Sequence, residues 1–100
     1  MSSLTSKQRA HLRSLAHPLK PLIQVGNEGV TAALLKTIVE AFNTRELLKV
    51  KVLDSAPDDP RATADAIVAA LDGVGVAQTI GRTIVLYRPF EEDPEIRLPS

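Results

Sequence analysis

The sequence contains no cysteine, and this absence excludes disulfide bonds, thiolate metal sites and cysteine catalysis. It contains no tryptophan and only three aromatic residues, so the core must be built from Leu, Ile, Val and Ala. No apolar run approaches the roughly 18 residues that a membrane-spanning helix needs, and the N-terminus lacks the basic-then-apolar layout of a signal peptide. We therefore expect a soluble, cytoplasmic protein that does not associate with membranes.

Charge is distributed unevenly along the chain, although the formal net charge is zero. Residues 1–53 contain eight basic and three acidic side chains, whereas residues 54–100 contain four basic and nine acidic ones, giving net charges of +5 and −5. A one-sided basic surface is typical of a protein that binds a polyanion. Because folding can intermix the two segments, the asymmetry favours nucleic-acid binding without establishing it.

The spacing of apolar residues predicts seven elements in one domain. Helices are predicted over 4–16, 32–43 and 60–72, and strands over 22–25, 47–53, 74–80 and 83–88. Thr5 and Gln8 have the spacing of a capping box, Asp59 before a proline is typical of a helix start, and Gly81 indicates a type II′ hairpin turn. Helix-linked strands should run parallel and the hairpin antiparallel, so the order α-β-α-β-α-β-β predicts a small α/β domain with a mixed four-stranded sheet.

A glycine loop, Gly26-Asn27-Glu28-Gly29, separates the first predicted strand from the second predicted helix, whose N-cap is Thr31. The first turn of a helix has unpaired backbone N–H groups and suits an anion, and glycines let a phosphate approach the backbone. The same spacing occurs in the loop with which KH-type modules hold a nucleotide backbone. A plain strand-to-helix turn is the alternative, since isolated motif matches are often accidental.

Five basic side chains are candidates for phosphate contacts around this loop. Arg9 and Arg13 lie four residues apart on the first helix, Lys20 lies on the connector, and Lys49 and Lys51 share the polar face of the second strand. An ordinary solvated surface is the alternative. Together with the loop, the candidate RNA-binding residues are Gly26, Asn27, Glu28, Gly29, Arg9, Arg13, Lys20, Lys49 and Lys51.

No catalytic or metal-binding pattern accompanies these residues. His11 and His17 lie six apart around a helix end and match no zinc pattern, while Asp58 and Asp59 are interpreted as loop and capping residues. The sequence contains no nucleophile–base motif, and it also lacks the longer, Walker-type signature of a nucleotide-phosphate site. We therefore expect a protein that is not an enzyme and needs no cofactor or metal.

Four collinear blocks together resemble the YhbY-like CRM domain family, named for chloroplast RNA splicing and ribosome maturation, over about residues 4–89. The blocks are 12–21 (LRSLAHPLKP), 24–31 (QVGNEGVT), 46–51 (ELLKVK) and 80–88 (IGRTIVLYR). The resemblance implies a fold like the C-terminal domain of bacterial translation initiation factor 3 and binding of structured RNA. For stand-alone bacterial members it also implies association with the precursor of the large (50S) ribosomal subunit.

The resemblance further implies that residues 26–29 form the RNA-contacting loop and that the basic residues near it hold phosphates. The family loop usually has a lysine directly after its first glycine, whereas this chain has Asn27 and then Glu28. The loop therefore lacks a cation and gains an anion. We expect either that its affinity for RNA is weaker or that RNA binding depends on the basic side chains of the first helix and the second strand.

The leading hypothesis is a monomeric ribosome assembly factor that binds precursor large-subunit RNA, with ribosomal proteins as further partners. Residues 1–89 form the CRM domain in this interpretation, and residues 90–100 form a mobile acidic tail. The alternative is an adaptor that docks on a ribosomal or translation protein, favoured by the acidic second half and by Glu28.

Overall fold

The computed structural model describes residues 4–99, and it confirms the predicted order of elements. The three helices are α1 (Ser6–Ala16), α2 (Ala32–Ala41) and α3 (Pro60–Ala70), and the four strands are β1 (Ile23–Val25), β2 (Leu47–Val52), β3 (Gly75–Ile80) and β4 (Thr83–Tyr87). The elements are one or two residues shorter than predicted, because an apolar pattern does not mark the residues at which an element frays. Within the described chain, no helix is long and apolar enough to cross a membrane.

The sheet is mixed and four-stranded, as predicted, with the strand order β1-β2-β4-β3. Strand β1 runs parallel to β2, while β4 runs antiparallel to both β2 and β3. The register between β3 and β4 shifts between Val76 and Gln78, which indicates a bulge in β3. Strands β1 and β3 are the two edges of the sheet, and the glycine loop follows directly from the first of them.

Each face of the sheet packs against different helices, so the domain has three layers. Alternate side chains of β2 point to opposite faces: Leu48, Val50 and Val52 pack with α2 and α3, whereas Leu47 packs with α1. The face covered by α2 and α3 has the larger core. Helix α1 covers only part of the other face, and Lys49 and Lys51 lie on that face beside it.

The predicted caps of α1 and α3 are confirmed by their hydrogen bonds. The Gln8 N–H donates to Thr5 Oγ1 and the Thr5 N–H donates to Gln8 Oε1, both at 3.1 Å. Asp59 Oδ1 accepts the Ala62 N–H at 2.7 Å at the start of α3. The apolar residues Leu12, Leu15 and Ala16 of α1 predict its buried side, but Leu15 is 40% exposed, so the prediction is wrong for Leu15. Only Leu12 and Ala16 of this helix are buried on the sheet.

The predicted acidic tail, residues 90–100, contacts the domain over its described part. The Glu46 side chain is only 3% exposed, and its carboxylate accepts three backbone N–H groups of the tail. Oε2 accepts from Phe90 at 2.7 Å, and Oε1 accepts from Glu95 at 2.8 Å and Ile96 at 2.7 Å. Ile96 and Leu98 pack against the core beneath α1. The segment is thus docked in the structure, and its mobility in solution stays a prediction.

Candidate nucleic-acid interface

The glycine loop is a tight turn between β1 and α2. The Gly29 N–H donates to the Gly26 carbonyl at 3.0 Å and closes the turn. Thr31 caps α2, since its hydroxyl accepts the Leu34 N–H at 3.1 Å. Asn27 and Glu28 are exposed at the tip. The loop therefore presents backbone and two polar side chains to solvent, one of which carries a negative charge.

The two glycines of the loop have different physical roles. Gly29 has a φ of +69°, a conformation that side chains disfavour, and a Cβ there would lie 2.9 Å from Cγ of Pro57. Gly29 is therefore required by the fold. Gly26 does not have a positive φ, and a Cβ there would meet no atom within 4 Å. The fold tolerates a side chain at Gly26, so this position reports on ligand approach.

Lys51 is the candidate cation that the sheet places next to the loop. In the parallel register of β1 and β2 it pairs with Gln24, two residues before Gly26, and its side chain is exposed. Lys49 lies two residues earlier on the same face of β2, and its ammonium donates to the His17 carbonyl at 3.5 Å. Both lysines therefore lie on the face of the sheet that α1 leaves partly uncovered.

Helix α1 extends this positive surface away from the loop. Arg13 and Lys49 line one open groove of about 420 Å³, together with His17 and Gln78. Arg9 and Arg13 line a second groove of about 500 Å³ beside β3. We call Arg9, Arg13, Lys49 and Lys51 the basic stripe, because they follow one another across one face of the domain.

The predicted candidates therefore form an extended surface and not a compact cluster around the loop. Lys20 is exposed on the connector before β1, which is held to β2 by the Leu22 N–H donating to the Lys49 carbonyl at 3.1 Å. Arg9 lies at the far side, where its guanidinium donates to the Leu4 carbonyl at 2.9 Å and to Ser6 Oγ at 3.4 Å. RNA contact by each of these residues stays a prediction.

In the structure the acidic tail docks at the end of β2 opposite to the loop. Its anchor, Glu46, directly precedes β2, whereas Lys51 and the paired Gln24 lie near the other end of that strand. Six residues of strand separate the two ends by about 20 Å. Because Phe90 and Glu95 are both bonded to Glu46, the acidic residues between them are held at that end.

Arg61 and Glu46 have structural positions that no local pattern in the sequence indicates. Arg61 belongs to the acidic half of the chain, yet α3 places it in the second groove with Arg9 and Arg13. Glu46 lies in the predicted connector before the second strand, yet it is buried. The partners of its carboxylate lie 44 to 50 residues away, so no nearby residue indicates its role.

The pKa of Tyr87, which lies next to Glu46, is shifted by its surroundings. Burial raises the pKa of the Tyr87 phenol above its ordinary value of 10.0, and the Glu46 carboxylate raises it further. Among the residues that the structure covers, no three His, Asp or Glu side chains are grouped as metal ligands would be.

Comparisons with a family model and with known proteins agree on one family. The model of the CRS1 / YhbY (CRM) domain matches residues 4–88. Over 96 residues the chain is 46% identical to the Bacillus subtilis protein named "Probable RNA-binding protein YqeI", covering 96% of this chain and 99% of that protein. Over 99 residues it is 41% identical to a Haemophilus influenzae protein named "RNA-binding protein", covering 99% and 98% of the two chains.

A solved structure supports the same assignment. The solution structure of SAV1595 from Staphylococcus aureus, described as an RNA-binding candidate, has 40% sequence identity and a TM-score of 0.81, covering 97% of this chain and all of that one. All three relatives are named or described for RNA binding. The chain belongs to the CRS1 / YhbY (CRM) domain family.

Proposed function

We propose that this protein binds RNA with the glycine loop and the basic stripe, and that its target is the precursor RNA of the large ribosomal subunit. One observation carries the proposal: four cations follow one another across a single face that leads to the loop. Among residues 4–99 the one ion pair within 4.0 Å joins Arg82 and Asp54, so no carboxylate of these residues pairs directly with a side chain of the stripe. The names of the relatives support RNA as the polyanion.

Phosphate contacts are the main source of affinity in this proposal. Lysine and arginine side chains release counterions from the RNA, and the loop backbone fits against the ribose-phosphate chain. Stacking on bases contributes little, because Phe42 and Tyr87 are buried and Phe90 is partly buried. The protein therefore recognises RNA by its shape and its backbone. The proposal also includes that the protein acts as a cytoplasmic monomer.

The mechanism is tested by the salt dependence of binding to transcribed large-subunit precursor RNA. Removing one phosphate-binding cation should lower the log–log salt slope by about 0.7 to 0.9, equivalent to about four- to sixfold weaker binding near 0.15 M salt. We expect this change for Lys51→Gln. The matched control is Lys36→Gln, because Lys36 is exposed on α2, which packs on the opposite face of the sheet. Equal effects of the two variants would contradict the proposed surface.

The loop is tested separately with Gly26→Val. The open space around Gly26 predicts an unchanged unfolding temperature, whereas the added side chain should keep an RNA backbone away and weaken binding. Full RNA affinity in this folded variant would remove the loop from the site.

The ribosomal target is tested by sedimentation of cell extract on a sucrose gradient. We expect the protein in the fractions that contain large-subunit precursors and not in those of mature subunits. Sedimentation only as free protein would contradict the assembly role. Binding to naked RNA separates this proposal from the adaptor alternative, because an adaptor needs its protein partner present.

A further inference from the structure

A groove at the β3 edge of the sheet brings together three arginines from helices on opposite faces. Arg9 and Arg13 come from α1 and Arg61 comes from α3, and all three line the same opening of about 500 Å³. Its floor is β3 from Val76 to Thr79. We call this opening the β3-edge groove.

The bulge in β3 lies in the floor of the groove. Strand β3 pairs only with β4, so its outer edge carries unpaired backbone groups. At the bulge, Ala77 is an extra residue whose side chain is buried against the core beneath α1. Ala77 therefore lies in the floor of the groove, with Arg9 and Arg13 of α1 and Arg61 of α3 around it.

The charge of the groove is suited to an anion. Its lining contains three guanidinium groups and one carboxylate, that of Asp65. Over residues 4–99, no carboxylate oxygen lies within 4.0 Å of any of the three arginines. A guanidinium is planar and binds phosphate with two parallel hydrogen bonds. The Arg9 guanidinium already donates to the Leu4 carbonyl and to Ser6 Oγ, so it contributes mainly charge, whereas Arg13 and Arg61 can present their planar forks to a phosphodiester.

The groove is continuous with the basic stripe. Lys49 of β2 and Gln78 of β3 both pair with Val85 of β4, so they lie in one row across the sheet. Gln78 and Arg13 line both this groove and the groove that contains Lys49. An anion at the β3 edge and one at Lys49 would therefore lie along one uninterrupted surface.

We propose that the β3-edge groove is a second phosphate-binding site, in which Arg61 contacts the same RNA that the glycine loop contacts. This inference rests on the proposed function. The loop adjoins β1, and three strand spacings of about 4.8 Å separate β1 from β3, so the two sites lie at least about 14 Å apart. The RNA must therefore present backbone phosphates across the full width of the sheet.

The test is Arg61→Gln in the full chain, with transcribed large-subunit precursor RNA as the probe. The control is Arg45→Gln, because Arg45 is an exposed arginine at the end of β2 opposite to the loop. We expect Arg61→Gln to weaken binding about four- to sixfold near 0.15 M salt and to lower the salt slope by about 0.7 to 0.9, with no change for the control. Arg61→Lys should restore the slope but only part of the affinity, since lysine keeps the charge and loses the planar fork.

The outcomes separate the two proposals. If the wild-type protein binds no RNA, the proposed function fails. If the wild-type protein binds and Arg61→Gln binds equally well, the groove inference fails while the proposed function stands. Self-association of Arg61→Gln with unchanged RNA affinity would also overturn the inference, because it would show that Arg61 only protects an edge strand from pairing. Thermal unfolding checks the fold, which should persist since Arg61 is exposed.

Discussion

Replacing Glu46 by glutamine should release the docked tail and destabilise the domain. The carboxylate accepts three backbone N–H groups, two at Oε1 and one at Oε2. Glutamine can keep its oxygen at the Oε1 position, but it then places an NH₂ group against the Phe90 N–H. One charge-assisted hydrogen bond disappears, two become neutral, and two donors face each other in a buried position.

The magnitude follows from these bonds. Hydrogen bonds to a charged group contribute about 1.5–3 kcal/mol each, and neutral ones about 0.5–1.5 kcal/mol. We expect Glu46→Gln to lower the free energy of unfolding by about 2–4 kcal/mol. The tail can leave and hydrate its own N–H groups, which limits the destabilisation to the free energy of its docking. In a domain of this size the change corresponds to a fall in Tm of roughly 10–25 °C.

The assay combines thermal unfolding with amide hydrogen exchange. Glu40→Gln is the control, because Glu40 is an exposed glutamate on α2. Protection of the Phe90, Glu95 and Ile96 amides should fall in Glu46→Gln, while RNA affinity should change little, since the anchor and the loop lie at opposite ends of β2. Equal Tm values for the two variants, with the three amides still protected, would refute the reasoning.

Three further predictions concern stability. Gly29→Ala should lower the free energy of unfolding by about 1–3 kcal/mol in a urea titration, because its φ is +69° and its Cβ would lie 2.9 Å from Pro57. Because burial and then Glu46 raise the pKa of Tyr87, the stability that its neutral phenol contributes is complete below pH 10 and is lost as the pH rises through the folded-state pKa. Tyr87→Phe should therefore lose less stability than wild type as the pH rises above about 10. Asp59→Ala should cost about 0.5–2 kcal/mol by thermal unfolding, since the cap of α3 is removed.

The element order could be predicted because each element has its own local signals. The reciprocal bonds of Thr5 and Gln8, the Asp59 cap and the positive φ of Gly81 all depend on residues within four positions of one another. The alternation of β2 likewise separates the lysine face from the apolar face without knowledge of the rest of the chain.

The contacts between distant segments could not be predicted in the same way. Arg61 reaches the basic stripe only because β3 pairs with β4 at the sheet edge and α1 and α3 flank that edge. The charge pattern along the chain places it in the acidic half. The composition of the tail predicts mobility, but composition does not reveal one buried carboxylate with three backbone donors. Both features depend on topology.

The glycine loop and the basic stripe should make different kinds of contribution to RNA binding. Glu28 places a negative charge at the loop tip, and the nearest cation assigned by the sheet register is Lys51 on another strand. If the loop supplies backbone fit and the stripe supplies charge, Gly26→Val should lower affinity at an unchanged salt slope, while Lys51→Gln should lower the slope. Glu28→Gln should then raise affinity most at low salt, because it removes a repulsion that salt screens. A Glu28→Gln variant that binds RNA more weakly than wild type would mean that the carboxylate itself contacts the ligand. The proposal that the loop contributes backbone fit and the basic stripe contributes charge would then be wrong.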